Sequence, residues 1–198
     1  MAGRALQLSV RRRRFALAGL ALTLVALGCA GADAAGDRKM TAHDFSFTSI
    51  DGQPLPLKSY AGKAVLIVNT ASFCGYTPQY QGLEAVWRKY QARGLVVLGV
   101  PSNDFGEQEP GSAAEIKQFC ETNYQVDFPL TEKQHVVGAR AHPFYKWIAA
   151  ELGEGGVPRW NFHKYLIAPD GTLACAWPSR VTPDSAEVTK AIEGALGR

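Results

Sequence analysis

Two stretches of the chain are apolar without interruption: Val65-Leu66-Ile67-Val68 and Leu95-Val96-Val97-Leu98-Gly99-Val100. Short unbroken runs rich in β-branched residues read as strands buried on both faces. Between them Leu83, Val86, Trp87 and Tyr90 recur at helical spacing. The spacing predicts a helix from Pro78 to about Gln91, with Thr77 as N-cap and Pro78 at the first helical position. Arg93-Gly94 ends it. Strand, helix and strand in that order make a βαβ unit, and so a parallel pair with a right-handed crossover.

The rest of the pattern is more broken. Phe45-Ser46-Phe47-Thr48 alternates and predicts a short edge strand, followed by an Asp51-Gly52 hairpin turn. Ser112-Ala113-Ala114-Glu115 is a capping box opening a helix through about Tyr124. Phe144, Trp147, Ile148 and Leu152 form the stripe of a helix over 142–152. Lys164–Ala168 and Leu173–Trp177 flank a Pro169-Asp170-Gly171-Thr172 turn, an antiparallel hairpin. Thr182-Pro183-Asp184 opens a last helix running to the C-terminus. The order predicts an α/β chain with a central mixed β-sheet flanked by helices, as in the thioredoxin-like architecture.

The first residues follow different rules. Arg11–Arg14 is a basic cluster, Phe15–Ala32 carries no charge, and small residues follow through Ala34. That layout predicts a cleaved export signal over 1–34, a linker over 35–41 and one domain over 42–198. An uncleaved anchor is the alternative, but the apolar run is short for a span of about 20 residues. Arg12-Arg13-Arg14-Phe15 resembles a twin-arginine signal, an alternative to the general secretory route. Leu27-Gly28-Cys29 resembles an imperfect lipoprotein box, with Ala26 where Leu is usual. The expected address is the periplasm or cell envelope. The chain's 21 basic residues against 18 acidic ones reflect this segment: residues 1–32 hold five Arg and no acid, leaving 16 bases against 18 acids. Nothing basic remains that would suggest nucleic acid.

Outside the signal three cysteines remain, Cys74, Cys120 and Cys175. No C-x-x-C pair exists, so neither a zinc site nor a dithiol loop is indicated. His43, His135, His142 and His163 are scattered, read as surface or helix-packing residues, and no metal or cofactor is expected. Cys74 stands between the first buried strand and the next helix start. Backbone N–H groups and the helix dipole aimed at that turn would stabilise a thiolate, the nucleophilic form of the thiol. The alternative is a buried structural cysteine; Gly75 to Pro78 favour an exposed turn. The polar loop Pro101–Gly111 lies past the carboxyl end of the second strand, where open α/β sheets place their sites.

Three segments together resemble the glutathione peroxidase family: Asn69-Thr70-Ala71-Ser72-Phe73-Cys74-Gly75-Tyr76-Thr77, Gly99–Gly111 with Asn103-Asp104-Phe105-Gly106-Glu107-Gln108-Glu109-Pro110 at its centre, and Trp160-Asn161-Phe162-His163-Lys164-Tyr165-Leu166. The likeness covers about residues 42–196. It implies a thioredoxin-like fold and reduction of hydrogen peroxide and organic hydroperoxides. By the resemblance Cys74 holds the peroxidatic position, and Trp160 and Asn161 match two of its partners, an indole N–H and an amide. Cys120, 46 residues after Cys74, matches the resolving cysteine of thioredoxin-dependent members. Cys175 is left as structural. Asp104 stands where the family usually has Gln, which implies a carboxylate facing Cys74, partly relieved by turning so that Gln108 or a backbone N–H takes its role. The short loop between Leu152 and Trp160 is like that of monomeric members. A thioredoxin-like donor is favoured over glutathione, because basic residues to hold glutathione are not evident. Two other functions stay open: a peroxide sensor passing its disulfide to a partner protein, and an envelope thiol–disulfide oxidoreductase, which would need the C-x-x-C pair this chain lacks.

Overall fold

In the computed structural model residues 38–197 are described; the segment expected to be an export signal, 1–34, and the first three residues of the expected linker lie outside them. The chain from Lys39 onward forms one compact unit. It opens with a small antiparallel hairpin, β1 (Ser46–Thr48) and β2 (Pro54–Pro56), separate from the main sheet. The main sheet contains β3 (Ala64–Thr70), β4 (Leu95–Pro101), β5 (Lys164–Ile167) and β6 (Leu173–Trp177), in the order β4-β3-β5-β6. β3 and β4 are parallel, as the βαβ pattern requires, and β5 and β6 add antiparallel strands on the other side. Among the described residues four α-helices surround it: α1 (Gln79–Tyr90), α2 (Ala113–Tyr124), α3 (Pro143–Leu152) and α4 (Ala186–Ala195). This is the mixed, helix-flanked sheet of the thioredoxin-like architecture.

Side chains of a strand alternate between faces, and the core divides accordingly. Leu66 and Val68 of β3 pack with Tyr80, Leu83 and Val86 of α1, Ile116 and Cys120 of α2, and Val188 and Ile192 of α4. Val65 and Ile67 pack with Phe144, Trp147 and Ile148 of α3. Every residue of β3 and β4 is buried, which is why their sequences are apolar runs rather than alternating ones.

The outer side of β4 is closed by the segment 128–131. Gly99 donates to the Pro129 carbonyl at 3.0 Å and accepts from Thr131 N–H at 2.9 Å. A Cβ on Gly99 would stand 2.5 Å from Leu130 Cδ2 and 3.3 Å from Phe128 Cε2. The absent side chain is what lets this segment approach.

Two helix starts differ from the sequence reading. α1 begins at Gln79 with Pro78 as N-cap, because the Thr77 hydroxyl is used elsewhere. It accepts from Cys74 N–H at 2.9 Å and donates to the Ala71 carbonyl at 2.9 Å. α4 begins at Ala186 with Ser185 as N-cap, since Ser185 N–H closes a turn onto the Thr182 carbonyl at 3.1 Å. The capping box of α2 is present with both of its arms, Ser112 and Glu115.

Candidate active site

Three segments meet beyond the carboxyl ends of β3 and β4: residues 69–77, 102–111 and 160–163. Asn69, the next-to-last residue of β3, joins the first to the third. Its amide Nδ2 donates to the Trp160 carbonyl at 3.1 Å, and its Oδ1 accepts from His163 N–H at 3.0 Å. Its own carbonyl accepts from Phe162 N–H at 2.6 Å. Between these anchors Phe162 takes φ +63°, a left-handed conformation costly for a bulky residue. The fixed ends hold the chain in that bend.

Cys74 sits in a tight turn between β3 and α1. Thr77 N–H donates to the Cys74 carbonyl at 3.0 Å, and the Thr77 hydroxyl holds Cys74 N–H. The turn therefore points Tyr76 N–H at the sulfur, 3.3 Å from Sγ. This donor belongs to the turn rather than to the first turn of α1, which starts five residues after the cysteine. Phe73 and Gly75 are exposed while Cys74 is 8% exposed. The turn is exposed, as expected, but the thiol is tucked against it.

Gln108 ties the second segment to the other two. Its carbonyl accepts from Phe73 N–H at 3.0 Å, next to Cys74, and its Oε1 accepts from Asn161 Nδ2 at 2.9 Å. Asn161 is wholly buried and its Oδ1 has no partner. Trp160 is 40% exposed and stands beside the Phe105 ring, centroids 5.9 Å apart. It is not a core aromatic.

Asp104 is placed elsewhere. Its Oδ1 lies 2.7 Å from His135 Nδ1, and its Oδ2 accepts from Val136 N–H at 2.6 Å and Val137 N–H at 3.2 Å. Burial pushes its pKa up, but His135 and the two N–H groups outweigh that and hold the carboxyl below its ordinary value. Both oxygens are turned to the 135–137 segment, so Asp104 is corrected from a site partner to an anchor of that connector. Gln108 is the loop residue that reaches the cysteine turn, through its carbonyl, while its amide meets Asn161.

Cys120 lies on α2 in the same apolar cluster as Cys74, with no exposed surface. Burial pushes its thiol up to about 11; the Tyr80 hydroxyl beside it lowers it and the Glu109 charge raises it further. Cys74, Cys120 and Cys175 are all free thiols, and Cys175 is half-buried on β6, packed against the same apolar cluster. His163 is not a surface or helix-packing residue. It enters β5 only 6% exposed, and burial, then the neighbouring Lys164 charge, push it down to about 4. Among the described residues no cluster of His, Cys, Asp and Glu is placed to hold a metal.

Sequence reasoning missed Asn69 and Glu109. The signal for Asn69 was a polar residue closing an otherwise apolar strand. Glu109, in the middle of a polar loop, gave none.

The family model for glutathione peroxidase matches residues 42–149. A hydroperoxy fatty acid reductase of Synechocystis is 45% identical over 164 residues, covering 79% of this chain and 96% of that protein. A glutathione peroxidase-like peroxiredoxin of Chlamydomonas reinhardtii is 46% identical over 145 residues, 72% of this chain and 90% of its own length. Among solved structures, Trgpx in its apo form superposes with a TM-score of 0.66 at 35% identity, covering 81% of this chain and 98% of that one. A match this complete, on a thioredoxin-like sheet with its cysteine at the β3–α1 turn, means that this chain belongs to the glutathione peroxidase family and is a peroxidase.

Proposed function

We propose that Cys74 is the peroxidatic nucleophile of a thiol peroxidase acting on hydrogen peroxide and organic hydroperoxides. The observation that carries this is the Tyr76 N–H, 3.3 Å from Sγ in a turn fixed by Thr77. A hydrogen bond to the charged form favours the thiolate. The thiolate attacks the O–O bond, an S–O bond forms, and the alkoxide leaves and takes up a proton as alcohol. Developing charge on the leaving oxygen needs neutral donors nearby. The Asn161 and Gln108 amides and the Trp160 indole supply that chemistry and do not themselves compete as thiols.

Cys120 then attacks the Cys74 sulfenic acid, releasing water and leaving a disulfide, which a dithiol donor reduces by exchange. With both thiols free and Cys120 fully buried on the inner face of α2, this step requires α2 to open locally. The Chlamydomonas relative's name, peroxiredoxin, favours a protein dithiol as donor. The Synechocystis relative's name favours hydroperoxy fatty acids among the organic substrates. The Arg11–Arg14 cluster and the apolar run after it favour export, with a mature N-terminus between Cys29 and Ala35.

The test is peroxide consumption coupled to a thioredoxin or a glutathione recycling system. Cys74→Ser abolishes turnover with either. Cys120→Ser consumes one equivalent of peroxide and then stops with thioredoxin. Turnover of Cys74→Ser above a few per cent of wild type would overturn the assignment. N-terminal sequencing of the protein from its cell envelope tests the address, and an intact Met1 on soluble cytoplasmic protein would refute it.

A further inference from the structure

Glu109 is a carboxylate with no exposed surface, and neither of its oxygens has a hydrogen-bond partner. Ser72 lies beside it, close enough for its hydroxyl and N–H to act on the carboxyl. Lys133 Nζ reaches Glu109, but at the backbone carbonyl, 2.8 Å away. A buried charge left in this state is expensive, and burial pushes the carboxyl up to about 7, with Ser72 and then Lys133 opposing.

Glu109 is one of the residues around a cavity of about 400 Å³, its carboxylate oxygens buried behind the surface. One wall is Ser72 and Phe73, the residues just before Cys74. The opposite wall is Ile116 and Phe119 of α2, one turn and one residue before Cys120. The two walls touch: the Phe73 and Phe119 rings lie 6.1 Å apart. The residues preceding the two cysteines are thus in contact, and Glu109 faces the space between their segments. The interior here is short of partners. Thr70 Oγ1, Ser72 Oγ and the Tyr80 hydroxyl are also buried without one.

We propose that Glu109 is the proton acceptor for Cys120 when that thiol attacks the Cys74 sulfenic acid. The proposal rests on the reading of Cys120 as the resolving cysteine. In the step, the Cys120 S–H bond breaks and its proton passes to the Glu109 carboxylate. The Cys120 sulfur forms the S–S bond with Cys74, and the Cys74 S–O bond breaks. The departing hydroxide takes the proton from Glu109 and leaves as water. Cys120 is oxidised, the sulfenic acid is the oxidant, and Glu109 returns to its starting state. A buried thiol held near 11 needs a base, and a carboxyl near 7 is ionised enough to serve at neutral pH.

The other titratable groups packed around this space do not fit the role. Tyr80 of α1 is pushed well above its ordinary value by burial, so it holds its proton. Glu115 of α2 is committed to the Ser112 N–H and hydroxyl, both at 2.7 Å. Glu121 acts on Cys120 only through its charge. Lys133 approaches from the connector before α3 as a donor.

The experiment is a single turnover of the full chain with one equivalent of hydrogen peroxide, quenched and read by mass spectrometry for sulfenic acid and disulfide separately. Glu109→Gln forms the Cys74 sulfenic acid at the wild-type rate, while disulfide formation slows roughly a hundredfold. Wild-type disulfide formation rises with pH and levels off above about 7, and Glu109→Gln loses that rise; Glu109→Asp recovers part of the rate. A wild-type disulfide rate flat from pH 6 to 8, or a Glu109→Gln variant with the wild-type rate and profile, would overturn the proposal. A Cys120→Ser variant that still cycles would instead remove the reading on which it stands.

Discussion

Replacing Asp104 by alanine strips an acceptor from three donors at once. The Asp104 side chain is 12% exposed, and Val136, whose N–H it takes at 2.6 Å, is 1% exposed. A buried N–H left without a partner costs about 1–3 kcal/mol. Val137 N–H, at 3.2 Å in a half-buried position, adds less. His135 is 42% exposed, so water replaces the carboxylate there at about 0–1 kcal/mol. The expected loss is about 2–4 kcal/mol. At a urea slope of about 2 kcal/mol/M, the denaturation midpoint falls by about 1–2 M. Asp104→Asn keeps one acceptor oxygen and costs about half as much. The carboxyl is held below its ordinary value of 3.8, so its contribution is complete above that pH. It is lost as the pH falls below 3.8 and through the lower folded value. The stability gap between wild type and Asp104→Asn therefore closes in acid. Peroxide consumption by Asp104→Asn keeps the wild-type pH profile, because the carboxylate faces residues 135–137 and not the sulfur. An unchanged urea midpoint for Asp104→Ala would refute the anchoring role. A pH–rate profile displaced toward lower pH in Asp104→Asn would show that the carboxylate acts on the thiol after all.

Lys164 is wholly buried, donates to the Phe162 carbonyl at 2.7 Å, and is pushed down to about 7 by burial. Above that pH the unfolded chain holds the proton the folded one has released, so stability rises with pH by up to about 1.4 kcal/mol per unit. Urea titrations between pH 7 and 8.5 show this rise in wild type; its persistence in Lys164→Met would assign it elsewhere. Gly99→Ala drives a methyl into Leu130 and Phe128 and costs about 1–3 kcal/mol. A wild-type melting curve for that variant would mean the 128–131 segment yields freely.

The elements that could be read from the sequence are those whose evidence is local. β3 and β4 announce themselves by unbroken burial, α2 by its capping box, and the β5–β6 hairpin by its Pro-Asp-Gly turn. Thr77 was misread because a threonine before a proline fits an N-cap as well as it fits the turn it actually braces. Asp104 was misread for a different reason. Its partners stand 31 to 33 residues away, and no spacing in the chain ties it to His135 or Val136. Glu109 could not be found by pattern at all, since a glutamate among Gly, Gln and Pro looks solvated until the cavity wall closes over it. Of the candidate site, the placement of Cys74 between β3 and α1 was legible, Trp160 and Asn161 only through the family resemblance, Gln108 only as an alternative, and the asparagine that anchors the 160–163 segment was not.

That asparagine has a consequence for the order in which the protein acquires its activity. Asn69 bonds to residues 91 and 94 positions further along the chain. Contacts at such separation form only after a long loop has closed, which makes them late events in folding. A nascent or refolding chain can build β3, α1 and β4 and present the Cys74 turn while Trp160 and Asn161 are still undocked. During synthesis the thiol emerges well before the residues expected to govern its chemistry. Recovery of peroxidase activity on refolding should therefore lag recovery of helix, and the lag marks the docking of β5 beside Asn69.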